Sequence, residues 1–226
     1  MTIQIMQQVK NNVLITGTPQ HIIKNFKHKG IPVILQQSVA LIALLLISPL
    51  LLLVFIFIKT ESTGSALFSQ TRVGENGRHF KMYKFRSMYL KTDPHYQEPD
   101  PTQSSREGVC KKYINDPRIT KTGQFIRKYS IDEIPQLFNI VRGDMCLVGP
   151  RPALSIETYE YDNDVQTRLF TKPGLTGLWQ VSGRADTNFE EQLKLDKTYI
   201  KQQSFLMDCK IIALTIPAVL SAKGAY

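Results

Sequence analysis

A run of twenty uncharged residues, Val39 to Ile58 (VALIALLLISPLLLLVFIFI), limits what this chain can fold into more than any other feature. As a helix it is roughly 30 Å long, the thickness of a bilayer's hydrocarbon core. The run begins too late for a secretory signal and lacks a small-residue cleavage site after it. Ser48-Pro49 stands at its middle. Proline removes a backbone donor and crowds the preceding turn, so a kink is expected there, and the serine hydroxyl can bond a carbonyl that this frees. Both flanks are basic: Lys24, Lys27 and Lys29 before, and Lys59, Arg72, Arg78, Lys81 and Lys84 after. A plain span prefers one basic side, whereas two suit a re-entrant segment with both ends on the cytoplasmic face. The residues alone leave both readings open.

At 226 residues the chain is one ordinary domain with an attached segment. A 42% hydrophobic content supplies a core, and a 21% charged fraction is not that of a disordered chain. The net charge of +9 suits an anionic partner: nucleic acid, acidic headgroups or phosphorylated metabolites. No nucleic-acid motif is present, so none is expected as a partner. Cys110, Cys146 and Cys209 form no CxxC and no even set, which argues for a reducing compartment and buried thiols.

The segments around the run read as follows. Residues 1–30 have no strong period and form a leader with a basic end. Residues 65–89 read as a β-hairpin turned by Asn76-Gly77, since both residues tolerate positive φ. Residues 91–108 are polar and proline-rich, a loop long enough to act as a lid, with His95 solvated in it. A helical stretch then carries Phe125, Ile126 and Arg127. In residues 172–184 (KPGLTGLWQVSGR) three glycines suggest backbone turns that approach a ligand, with Trp179 a candidate for nucleotide or sugar contact. Residues 188–202 read as an amphipathic helix. The sixteen-residue, mostly apolar stretch at 205–220 is too short and interrupted for a span and suits an interfacial or core helix. The fold class expected is mainly α with a small β-hairpin (α+β): a re-entrant membrane helix over 31–60, broken at Ser48-Pro49, and a cytoplasmic-face catalytic domain over 61–226 with interfacial helices.

Candidate chemistry lies in residues 127–152 (RKYSIDEIPQLFNIVRGDMCLVGPRP). Asp132 and Glu133 are adjacent carboxylates. Ser130 and Glu133 match a capping box, and Ile134, Leu137, Phe138 and Val141 repeat at helical spacing up to a stop at Gly143. Pro135 sits one position too deep for a first turn capped by Ser130, so a start nearer Asp132 or Glu133 is the alternative. Either start puts both acids at the positive end of a helix. Arg127 lies about one and a half helical turns before Asp132. Arg151 is held extended between Pro150 and Pro152, and its planar fork matches phosphate oxygens. A diphosphate repels an anionic nucleophile, and arginines with a divalent cation offset that charge. One carboxylate can attack phosphorus while the other holds Mg²⁺ together with substrate phosphates.

These motifs resemble the bacterial sugar transferase family, whose members are monotopic phosphoglycosyl transferases. The resemblance runs from about Val33 to Tyr226. It rests on Ser48-Pro49, on FSQTRVGENGRHFKMYKFRSM at 68–88, on DPRITKTGQFIRKYSIDEIPQLFNIVRGDMCLVGPRP at 116–152, on KPGLTGLWQVSGR at 172–184 and on the Gly224-Ala-Tyr226 end. It implies transfer of a sugar-1-phosphate from a UDP-sugar to a polyprenyl phosphate such as undecaprenyl phosphate, releasing UMP and starting a surface glycan. It implies Asp132 as covalent nucleophile and Glu133 as the Mg²⁺-associated partner. Lys84, Arg127 and Arg151 match the family's phosphate-holding positions, and Ser48-Pro49 matches its membrane-helix break at the inner membrane's cytoplasmic face. Gln36, Gln37 and Ser38 stand where members often carry an acid, which leaves the anchoring of the segment's start open. The multi-span region of longer members is not expected in this short form. The contrary expectation is a non-enzymatic basic protein that binds acidic lipid or nucleic acid.

Overall fold

A computed structural model of the chain describes residues 28–100, 102, 104, 113, 115–158, 161, 163–183 and 188–221. The leader up to residue 27, most of the 91–108 loop beyond residue 100, Cys110, Arg184 and the Gly224-to-Tyr226 end lie outside them.

In chain order the elements are α1 (Val33–Glu61), β1 (Leu67–Val73), β2 (His79–Phe85), α2 (Lys121–Lys128), α3 (Gln136–Val141), β3 (Cys146–Val148), α4 (Ser155–Thr158), α5 (Asn163–Gln166), β4 (Gly174–Thr176), α6 (Leu178–Val181), α7 (Phe189–Gln202) and α8 (Phe205–Leu220). The fold is therefore mainly helical with a small sheet and one long apolar helix near the N-terminus.

Helix α1 is 29 residues long, about 43 Å, and starts directly after Pro32. It is long and apolar enough to cross a membrane. It does not end at Ser48-Pro49: the expected break is a missing hydrogen bond inside a continuous helix. Pro49 has no N–H for the Leu45 carbonyl, and the Ser48 hydroxyl donates to that carbonyl instead at 2.8 Å. Serine thus supplies the bond that proline removes, so the helix runs on.

Two cores line α1. Its first half places Ala40, Ala43 and Leu44 against Met82, Leu137, Ile140 and Met145. Its second half places Leu51, Val54 and Ile58 against Ala66, Phe85, Ile126 and Ile131. Each fully buried aliphatic side chain here contributes about 1.5–3 kcal/mol. The face turned away from these cores, including Leu45, Leu46, Leu52, Phe55 and Phe57, is exposed.

The hairpin forms as read. β1 pairs antiparallel with β2 from Leu67↔Phe85 to Val73↔His79. Asn76 (φ 54°) and Gly77 (φ 76°) provide the left-handed turn residues. The loop after β2 is held at its start and is no free lid there. Asp93 accepts from the Thr63 amide (3.1 Å), the Thr63 hydroxyl (3.2 Å) and the His95 amide (3.0 Å), and His95 is paired to it.

β3 and β4 pair in parallel, Cys146↔Gly174 and Val148↔Thr176. Two of the three glycines here meet backbone closely. A Cβ at Gly174 would lie 2.1 Å from the Gly149 nitrogen, and one at Gly177 would lie 2.4 Å from the Gly149 oxygen. Helix α7 has a full capping box, with Asn188 accepting from the Glu191 amide and Glu191 accepting from the Asn188 amide. In α8, Asp208 and Ile211 face inward, while Phe205, Leu206, Ile216 and Leu220 are exposed. Of the thiols expected to be buried, Cys146 is buried but Cys209 is exposed on α8.

Substituting Gly174 by alanine should break the β3–β4 contact, because the neighbour it meets is backbone that cannot turn aside. A lowered melting midpoint, by roughly 5 °C or more for a loss of about 2 kcal/mol, is the outcome to measure in detergent.

Candidate active site

The candidate residues converge where α2, the turn Ile131–Glu133 and β2 meet. Helix α2 is capped by Thr120, whose hydroxyl accepts from the Gly123 amide at 2.8 Å. It presents Ile126 to the second core and Arg127 to the turn. After Tyr129 the chain reverses through Ser130, at φ 54°, a costly conformation for a non-glycine residue.

The capping box expected at Ser130–Glu133 does not form. A capping serine needs extended backbone, and Ser130 is left-handed with no side-chain cap bond. The Glu133 carboxylate is drawn instead to Lys84, whose ammonium donates to Oε1 at 2.5 Å. A charge-assisted bond outweighs a bond to a neutral amide. Residues Ile131–Glu133 make a 3₁₀ turn, and the helix starts only at Gln136, after Pro135. The dipole of this six-residue helix is correspondingly short-ranged, so it is not what governs the two acids.

Asp132 is buried, with 9% of its surface exposed, while Lys84 and Glu133 remain partly exposed. Burial pushes the Asp132 carboxyl up to about 6, the adjacent Glu133 adds to the rise, and Lys84 and Arg127 oppose it. Arg127 also touches Ser87, Nη1 donating to Oγ at 3.5 Å. Behind it Asp116 is clamped by Arg118 at 2.9 and 2.6 Å. Burial alone would raise the Asp116 carboxyl, but the Arg118 hydrogen bonds and charge, with Arg127 beyond, hold it below its ordinary range. Arg127 therefore lies between two carboxylates.

The structure thus brings Lys84, Arg127, Asp132 and Glu133 together. Arg151 belongs to a second cluster. Its guanidinium carbon lies 5.9 Å from the centre of the Trp179 ring, and its carbonyl accepts from Arg168 at 3.0 Å. Arg168 in turn pairs with Asp196 and with the Tyr161 hydroxyl, both at 2.6 Å. Burial raises the Asp196 carboxyl to about 6 against the pull of Arg168 and Arg151. Trp179, a candidate from the glycine-rich motif, is the aromatic partner in this cluster.

Asn139 and Asp208, which help hold the site together, were not singled out in the sequence, and Gln36 and Gln37 were noted only as a departure from the family pattern. Asn139 on α3 is fully buried and bonds β2. Gln36, on the first turn of α1, accepts from the Leu147 amide and donates to the Ile31 carbonyl, both at 2.6 Å. Gln37 donates to the Val141 carbonyl at 3.1 Å. These amides anchor the start of α1, where the sequence left its anchoring open. Asp208 accepts from the Ile31 amide (2.8 Å) and from Tyr199 (2.8 Å). A lone carboxylate inside an apolar run was the available signal for it, because a buried charge needs a partner.

Among the described residues no group of three or more His, Cys, Asp or Glu could enclose a metal ion. The Asp132–Glu133 pair still offers the hard oxygens that Mg²⁺ takes, two from protein and the rest from substrate phosphate and water. The donor set fits that ion.

The bacterial sugar transferase family model matches residues 28–222. The chain is 43% identical over 192 residues to the exopolysaccharide production protein ExoY of Rhizobium meliloti, covering 83% of this chain and 84% of that one. It is 42% identical over 190 residues to the undecaprenyl-phosphate galactose phosphotransferase of Salmonella typhimurium, covering 83% of this chain and 40% of that longer protein. It is 40% identical over 189 residues to the UDP-glucose:undecaprenyl-phosphate glucose-1-phosphate transferase of Caulobacter vibrioides, covering 80% and 66%.

The buried Asp132 sets a pH dependence of stability. Its folded-state value lies above its ordinary one, so folding favours the neutral form; that stability is full below about pH 4 and is lost as pH rises through about 6. Asp132→Asn should therefore raise the melting midpoint at pH 8, by roughly 2–4 °C per kcal/mol recovered, and the gain should vanish near pH 4. Thermal unfolding of both proteins across that range checks it.

Proposed function

The chain belongs to the bacterial sugar transferase family, and from that premise we propose that it is a phosphoglycosyl transferase that moves a sugar-1-phosphate from a UDP-sugar to a polyprenyl phosphate such as undecaprenyl phosphate. The product would start an exopolysaccharide or capsular glycan, in keeping with the names of its relatives. The observation that carries this reading is the buried carboxylate Asp132, set against Glu133 and balanced by Lys84 and Arg127.

In the first half-reaction an Asp132 oxygen attacks the sugar-bearing phosphorus. A P–O bond to Asp132 forms, the P–O bond to the uridylyl phosphate breaks, and UMP leaves with the electron pair. In the second half-reaction a phosphate oxygen of the polyprenyl phosphate attacks the same phosphorus. The Asp132–phosphorus bond breaks, restoring the carboxylate and giving the polyprenyl diphosphate sugar. A desolvated carboxylate suits this task, since little water has to be stripped from it before attack. Lys84 and Arg127 face the same turn and hold phosphate oxygens as charge moves between them. Glu133, with Asp132, would hold Mg²⁺, which when bound would neutralise diphosphate charge. Arg151, stacked on Trp179, offers a further basic face for the leaving nucleotide.

The same reading keeps both ends of α1 on the cytoplasmic face of the cell membrane, with residues 31–60 as a re-entrant segment and 61–226 as the catalytic domain. Both helix ends are tied to one body, which supports this. Gln36 near the start bonds Leu147, and Glu61 at the end accepts from the Lys121 amide (2.6 Å) and the Thr122 amide (2.9 Å). A straight span would carry those two anchors to opposite sides. The outward apolar residues of α8 suit the membrane interface beside it.

With UDP-galactose or UDP-glucose alone, the protein in detergent should release UMP and gain one sugar-phosphate mass on Asp132. Asp132→Asn should lower UMP release by roughly a thousandfold or more. Appearance of UMP only once polyprenyl phosphate is added, with no adduct, would replace the covalent route by direct attack. The rate should also fall on the acid side near pH 6, as Asp132 takes up a proton. Reporter tags at the two termini should both read cytoplasmic; an external C-terminus would restore the plain span.

A further inference from the structure

We infer that Asn139 is a positioning residue for this reaction: its buried amide fixes the register of β2 against the α3 run, and so fixes Lys84 opposite Glu133 and Asp132. The inference rests on the reading of Asp132 and Lys84 given above.

The hairpin sheet has two strands, so β2 has β1 on one edge only. At its other edge the Tyr83 amide and the Lys81 carbonyl meet Asn139. Oδ1 accepts from Tyr83 N at 3.1 Å, and Nδ2 donates to Lys81 O at 2.7 Å. Nδ2 also reaches Asp144 Oδ2 at 3.3 Å. One side chain thus supplies the donor and acceptor that a neighbouring strand would supply. The orientation of the amide follows from its partners, since a flip would set N–H against N–H and oxygen against oxygen. Asn139 is 0% exposed, so no water replaces these bonds if the side chain is cut back.

What Asn139 joins is specific. On one side, Tyr83 is the residue before Lys84. On the other, Asn139 lies on a hydrogen-bonded run that begins at the carboxylate turn: Ile134 N donates to Ile131 O, Leu137 N to Ile134 O and Phe138 N to Pro135 O. The turn and α3 therefore move as one piece, and Asn139 closes the path from Glu133 back to Lys84. The other contacts between these surfaces join side chains: Met82 against Leu137 and Ile140, the Tyr83 ring edge-on to Phe138 at 5.8 Å, and the Lys84–Glu133 pair itself. Apolar contact is non-directional, methionine adapts to a shifted neighbour, and a lysine stem is flexible, so these contacts tolerate a small shift of β2. The Asn139 amide holds the main chain of β2 itself.

Displacing Lys84 from the turn moves a cation of the reacting centre. A packing defect on α3, such as Ile140→Ala, leaves the bonds to Tyr83 and Lys81 in place and serves as the comparison. The test uses the full-length protein in detergent with UDP-galactose and UDP-glucose, comparing Asn139→Ala and Asn139→Asp with the unaltered chain. Asn139→Asp keeps the shape and the acceptor for Tyr83 but sets oxygen against the Lys81 carbonyl. Both variants should lose roughly 10- to 100-fold in kcat for UMP release, the scale of a displacement of about 1 Å, with KM for the UDP-sugar within about threefold. At matched loss of melting midpoint, Ile140→Ala should keep kcat within about threefold of the parent. A rate loss in the Asn139 variants no larger than that of Ile140→Ala, a rate unchanged from the parent, or loss of the folded state in both Asn139 variants would each overturn the proposal, the last by assigning Asn139 to stability alone. Asp132→Asn, run alongside, separates the two ideas. An active Asp132→Asn defeats the catalytic reading itself. An inactive one beside unaltered Asn139 variants defeats only the positioning role.

Discussion

A buried carboxylate next to a second carboxylate is costly unless cations stand close by, and that requirement organises this molecule. Asp132 is the buried acid, Glu133 its neighbour, and Lys84 and Arg127 the cations that oppose the resulting rise in its proton affinity. Lys84 comes from β2 and Arg127 from α2, so two elements distant in sequence must be held against one 3₁₀ turn. The hairpin register, the Thr120 cap of α2 and the left-handed Ser130 all act on that placement. Arg127 is shared with Asp116, which Arg118 clamps. Its charge thus favours the ionised form of both acids.

The second charged cluster follows the same rule with a different outcome. Arg168 and Asp196 are both buried and paired at 2.6 Å, with Tyr161 completing the guanidinium's partners. That pair carries Arg151 through its carbonyl and sets the guanidinium over Trp179. A buried pair of this kind is weak evidence for net stability but strongly constrains geometry, since removing one partner strands the other. The loop that carries Arg151 is therefore held by Arg168, seventeen residues further along the chain and itself paired with Asp196, rather than by its flanking prolines alone.

The sequence made some of this legible and hid the rest for physical reasons. The hairpin was readable because Asn76-Gly77 carries a turn signal that acts locally. The helices at 189–202 and 205–220 were readable from their caps and apolar spacing. The site pair itself stood out, but its local structure did not. Ser130 and Glu133 have the spacing of a capping box, and only the distant Lys84 decides that Glu133 turns outward instead. The glycines of 172–184 suggested close backbone approach, and the partner of two of them, Gly149 some twenty-five residues earlier, could not be read from the motif itself. Asn139 and Asp208 were hidden for the same reason: each is a polar residue inside an apolar stretch whose partners lie on another element. Local chemistry can be read from spacing; a choice between two competing partners cannot.

Ser48-Pro49 makes sense when set against the two cores beneath α1. The first core takes its α1 residues from Ala40 to Leu44, the second from Leu51 to Ile58, and the pair lies between them. A helix with every main-chain bond intact would tie the direction of one half to that of the other. Here the Leu45 carbonyl is taken by the Ser48 hydroxyl, a bond that does not extend the ladder, so the helix is most compliant where the two cores meet. Each half is then free to follow its own core. The first core also contains Met82 and the second Phe85, the residues that bracket Lys84 on β2. The strand bearing Lys84 is thereby seated on both halves of α1 at once, and the Asn139 amide is a polar contact that ties its main chain to α3 between them.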